Sequence, residues 1–129
     1  MKKLIAIIVV VLLLAGAAVW ENITISTYLT DIRTKTYEII EISRGQKNIQ
    51  TTEIIQKVEN LENIWKKYES TLCIFANHKD IRDLCLEIQR LRGNIEVNQY
   101  EDFCAGLKVI YHLTEDYKYI MGTSLQNIF

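Results

Sequence analysis

The stretch that decides the fold is Ile54–Leu72, IIQKVENLENIWKKYESTL. Within it Ile54, Val58, Leu61, Trp65, Tyr68 and Leu72 recur at steps of 4, 3, 4, 3 and 4. A helix turns once every 3.6 residues, so these positions stack on one face. The faces between them carry Gln56, Lys57, Glu59, Glu62, Lys66, Lys67 and Glu69. A narrow apolar seam edged with charge is the pattern of helical bundles and coiled coils. Thr51 or Thr52 is placed to accept hydrogen bonds from the first-turn amides as an N-cap.

The same period extends on either side. Upstream, Ile25, Leu29, Ile32, Thr36 and Ile39 step by 4, 3, 4 and 3. Arg44-Gly45-Gln46-Lys47 then reads as a stop, with Gly45 as a left-handed cap. Downstream, Ile81, Leu84, Ile88, Leu91 and Ile95 form a third stripe. Asn77 and Asp80 before it resemble a capping box. Gly93 inside this stripe costs about 1 kcal/mol relative to alanine. The third helix therefore ends after Arg92 or runs on to Val97. Asn98 and Glu101 read as a second capping pair. The fourth helix holds Phe103, Leu107, Ile110, Leu113 or Thr114, Tyr117, and Ile120 or Met121, with Gly122 as its terminator. The chain contains no proline, so nothing forbids long uninterrupted helices. Short turns between long amphipathic helices favour antiparallel neighbours. The expected fold is all-α: an antiparallel bundle of about four amphipathic helices.

The first twenty residues differ from the rest. Lys2 and Lys3 are followed by 17 uncharged residues from Leu4 to Trp20. A membrane-crossing helix needs about 20 apolar residues, with roughly 17 as the lower bound. Trp20 would then lie at the lipid–water boundary. The rival reading is a cleaved secretory signal, with Ala15 and Ala17 in an A-x-A arrangement. The uncleaved anchor is favoured. Either way the two lysines stay cytoplasmic and the remainder crosses the membrane. The expected organisation is residues 1–20 as anchor or signal segment and residues 21–129 as an extracytoplasmic bundle. Secretion after cleavage is the alternative localisation.

Outside residues 1–20 there are 13 basic and 16 acidic side chains. A mildly acidic surface of mixed sign does not match the phosphate backbone of nucleic acid. Nucleic-acid binding is therefore not expected.

Four features together resemble domain-of-unknown-function family 4363, a group of short bacterial proteins. They are the lysine start with one hydrophobic segment, Trp65 in a helical stretch, His78-Lys79-Asp80-Ile81 at a helix junction, and the ending Ser124-Leu125-Gln126-Asn127-Ile128-Phe129. The resemblance implies a membrane-tethered helical protein, of a family whose genes often neighbour one for a multi-pass membrane protein. It carries no catalytic residues.

Each candidate for chemistry has a plainer reading beside it. Cys73, Cys85 and Cys104 are the three cysteines. An exported domain permits disulfides, and Cys73 and Cys85 flank the turn between the second and third helices, which makes them the candidate disulfide. The plainer reading is three small apolar fillers. His78 with Asp80 and Asp83 has metal-ligand chemistry, but acidic residues at a helix start are explained by the helix dipole. His112 and Asp116 share a face by spacing, which a surface hydrogen bond explains. Trp65, Tyr68, Tyr100, Tyr111, Tyr117 and Tyr119 offer an aromatic surface, although Trp65, Tyr68 and Tyr117 fall where the core seam runs. There is no Gly-rich phosphate loop, nucleophile elbow or zinc-protease helix. No cofactor or metal is expected. The functional expectation is a non-enzymatic accessory or interaction module at the outer face of the cell membrane, partnered by itself or by a neighbouring multi-pass membrane protein. A ligand-binding or sensing module, with a pocket between helices, is the alternative.

Overall fold

The computed structural model describes the backbone of residues 1–75 and 78–128 and the side chains of residues 1–74 and 79–115. Among the described residues there are four helices: α1 (Lys2–Ser43), α2 (Thr52–Phe75), α3 (His78–Glu96) and α4 (Tyr100–Ile128). Each packs on two neighbours: α1 on α2 and α4, and α3 on α2 and α4. The result is an up-down-up-down ring, as short connections between amphipathic helices dictate.

The core is the union of the four stripes. Ile25, Leu29, Ile32 and Ile39 of α1 meet Ile54, Val58, Leu61, Trp65 and Leu72 of α2. Ile81, Leu84, Ile88, Leu91 and Ile95 of α3 and Phe103, Leu107 and Ile110 of α4 complete it. Thr114, rather than Leu113, takes the buried position in α4. Its hydroxyl donates to the Ile110 and Tyr111 carbonyls, as the buried Thr36 hydroxyl does to the Ile32 carbonyl. Each such buried hydroxyl is thereby satisfied within its own helix. Gly106 is buried where α3 and α4 approach: a Cβ there would meet a Leu91 methyl at 3.3 Å.

The helix ends show where local reading succeeds and fails. Gly45 does adopt the left-handed conformation, at φ +73°. Thr51 is the residue that caps α2, accepting from the Ile54 amide at 3.3 Å. Asn98 differs from expectation. It lies at φ +52° and ends α3, its amide bonded back to the Ile95 carbonyl. Its side chain accepts the Ile49 amide at 3.1 Å instead of capping α4. Asparagine tolerates the left-handed region, so it serves as a C-terminal cap as readily as an N-terminal one. Gly93 does not end α3, which runs to Glu96, and Gly122 does not end α4, which runs to Ile128. A single interior glycine costs about 1 kcal/mol, which intact flanking turns offset. The Asn77 cap lies outside the described residues.

The α1–α2 loop closes the bundle at the end reached by Ser43. Ile49, a lone apolar residue in a polar loop, is fully buried. The Gln50 side chain donates to the Ile95 and Glu96 carbonyls, and the Gly45 amide donates to the Tyr100 hydroxyl. Thus two loops satisfy each other's backbone groups.

Candidate functional site

The boundary expected at residue 20 carries no break in the chain. α1 is one helix from Lys2 to Ser43. Its apolar part is long enough to cross a membrane and makes no packing contact inside the bundle: none of its most apolar window is buried. Burial begins at Ile25. A helix that is apolar all round and unpacked is unlike the rest of this molecule, where every helix presents one stripe.

The best-defined polar cluster joins α1 and α2. The Tyr68 hydroxyl donates to Asp31 Oδ2 at 2.7 Å, while its ring stacks on Tyr28 with centroids 3.9 Å apart. The Asp31 carboxylate is the main reason the Tyr68 phenol is pushed up to about 12, with burial adding to it. On the α1–α4 face, Arg33 Nη2 donates to the Tyr111 hydroxyl at 3.0 Å and its guanidinium lies 4.7 Å from that ring's centroid. The Tyr37 ring lies tilted beside Tyr111, with centroids 6.3 Å apart. Tyr28, Asp31, Arg33 and Tyr37 were not singled out from sequence. Their spacing beside the Leu29–Ile32–Thr36 stripe was the available signal.

A groove between α2 and α3, of about 310 Å³, holds Trp65, Cys85, Glu69 and the Glu62–Arg92 pair. Arg92 grips Glu62 through two parallel bonds of 2.9 and 3.0 Å. The Trp65 indole N–H is buried without a well-formed hydrogen bond. It bears on the Cys85 sulfur, which burial pushes toward the thiol and this contact pulls slightly the other way. A polar N–H in that state is a packing compromise: the ring fills the seam and its tip lacks an oxygen acceptor.

The candidate pair Cys73 and Cys85 are not bonded to each other here: with Cys104 they are half-buried free thiols. Cys73 is nonetheless near enough to Cys85 to bear on its thiol, which burial pushes up first and Cys73 further.

The remaining candidates are scattered. His112 is exposed, its ring edge-on to Tyr111. The side chains of His78, Asp116, Tyr117 and Tyr119 lie outside the described residues, and Asp80 and Asp83 occupy the start of α3. Among the described residues no three His, Cys, Asp or Glu side chains are gathered as a metal would need. Two larger clefts lie at the end of the bundle reached by Ser43. One, of about 590 Å³, is lined by Gly45, Lys47, Tyr100 and Asp102; the other, of about 450 Å³, by Ile40, Tyr100, Cys104 and Leu107.

A family profile described as a domain of unknown function (DUF4363) matches residues 19–128. No curated protein and no solved structure matches the chain.

Proposed function

The chain belongs to this DUF4363 family, and on the geometry above we propose that it is a non-enzymatic, membrane-tethered helical module. The observation that carries this reading is the unbroken helix α1. Its exposed apolar part needs an apolar solvent, and its continuation is fixed inside the bundle. The bundle would be held rigidly against the outer face of the cell membrane, with Lys2 and Lys3 in the cytoplasm. There it presents its helix faces to a protein partner, either a second copy or a multi-pass membrane protein. The absence of any assembled acid, base and nucleophile among the described side chains favours interaction over catalysis.

The test compares the full chain with residues 21–129. The full chain is expected in the carbonate-washed membrane pellet, with the bundle cut by protease added outside the cell. The fragment is expected in the soluble fraction with a helical circular-dichroism spectrum. A full chain released by carbonate would refute the anchor, and a fragment without helix would refute an independent bundle. Crosslinking in native membranes then identifies the partner.

The cleft between α1 and α4 beside Ile40, Tyr100, Cys104 and Leu107 supports a second reading, a sensing module with a small apolar ligand. Screening for compounds that raise Tm tests it, with Ala105→Trp, beside the cleft, expected to abolish the shift.

A further inference from the structure

We infer that the C-terminal end of α2 rests in the lipid headgroup layer, with Ile74 as its apolar contact. This rests on the reading of α1 as a membrane anchor and names a second membrane contact for the same molecule. The argument is one of height. Tyr68 is level with Asp31, so Ile74, six residues further along α2, is level with Ile25. Lys57 is level with Glu38, and seventeen residues from each pairs Ile74 with Glu21. Ile74 therefore stands one to five residues past Trp20, or about 2–8 Å along the axis at 1.5 Å per residue. The interfacial layer outside the roughly 30 Å hydrocarbon core is about 5–8 Å deep on each side. With the apolar run ending at Trp20, Ile74 falls within that layer.

Its exposure fits the placement. Ile74 is 74% exposed, more than any large apolar side chain of the run from Leu4 to Trp20. Trp20 and Ile23 of α1, also exposed, occupy nearly the same height. One exposed isoleucine on a soluble surface is ordinary. Val97, 63% exposed in the α3–α4 turn at the other end, is such a case and serves as the control. What distinguishes Ile74 is that a continuous helix fixes its distance from the end of the anchor. Two contacts, the anchor and the end of α2 at Ile74, would hold the bundle upright rather than let it swing about one helix.

The experiment places one added tryptophan at a time in the full chain: Val11→Trp, Ile74→Trp or Val97→Trp. All three positions are exposed, so the fold tolerates the change, and circular dichroism checks it. Each variant is reconstituted in phosphatidylcholine–phosphatidylglycerol vesicles with and without dibrominated acyl chains. The emission gained over the unmodified chain is read for quenching. Val11→Trp is expected to be strongly quenched, Val97→Trp unquenched, and Ile74→Trp quenched clearly above Val97→Trp. Quenching of Val11→Trp, with Ile74→Trp no different from Val97→Trp, overturns the inference while leaving the anchor intact; a protein partner would then be the occupant beside Ile74. An unquenched Val11→Trp removes the anchor, and the inference with it.

Discussion

The two parts of α1 are one helix with two kinds of surface. From Leu4 to Trp20 the residues are apolar on every side, and Leu13 is 68% exposed. From Ile25 to Ile39 the apolar residues keep to one stripe, and Ile32 is fully buried. Backbone geometry is common to both, so the difference lies in periodicity alone. A stripe finds its apolar partner inside the chain, whereas a helix apolar all round must find it outside. Hydrophobic content without a period is therefore a statement about the environment, and hydrophobic content with a period is a statement about the fold.

Substitution should separate the parts sharply. Ile32→Ala deletes atoms from a closed core and is expected to cost about 2–5 kcal/mol of bundle stability. Val11→Ala, in the same helix, is expected to leave bundle unfolding unchanged. Denaturant unfolding in detergent, followed by circular dichroism, reads both. Equal losses would mean that the apolar part supports the bundle after all.

Trp65→Phe should give a smaller effect, because the two ends of the tryptophan oppose each other. Trp65→Ala empties the seam and should cost about 3–5 kcal/mol. Trp65→Phe keeps most of the ring and removes an N–H that lacks a good acceptor, a group that costs about 1–3 kcal/mol to bury. It should therefore cost under about 1 kcal/mol, within that same offset. A loss approaching that of Trp65→Ala would show that the contact with Cys85 is a strong hydrogen bond.

Tyr68 sharpens the comparison by pH. Its phenol is raised from 10.0 to about 12 by donating to Asp31. The folded value exceeds the unfolded one, so the stabilisation is complete below pH 10 and fades as pH rises toward 12. The stability advantage of the native chain over Tyr68→Phe should thus hold level to about pH 10 and shrink above it. An advantage that grows with pH would contradict the Tyr68–Asp31 bond.

What was legible in the sequence followed from period. The four stripes, the all-α class and the Gly45 cap could be read because each rests on residues within a turn or two of one another. Asn98 could not, since its partner is the Ile49 amide on another loop. Ile49 was missed because one apolar residue has no period. The α2–α3 register was not legible, since it depends on which seam layers meet, and stripes of equal spacing can slide by a turn without changing their pattern. The Tyr28–Tyr68–Asp31 and Arg33–Tyr111 clusters were hidden for the same reason: each joins helices whose relative height no local signal states.

The smallest expected effect concerns what fixes that height. Arg92 and Glu62 form a forked pair across α2 and α3, yet Arg92 is half exposed. Exposed ion pairs contribute at most about 1 kcal/mol, and salt screens them. Arg92→Lys keeps the charge and loses the fork. It should cost less than about 0.5 kcal/mol, less still in high salt, because solvent competes for the same charges. The register should stay where it is, because sliding α3 by one turn would move Ile81, Leu84, Ile88, Leu91 and Ile95 past their partners and leave an end of the seam uncovered. If Arg92→Lys instead costs more than about 2 kcal/mol, then this pair sets the register. The apolar seam would then be what permits the bundle without specifying it.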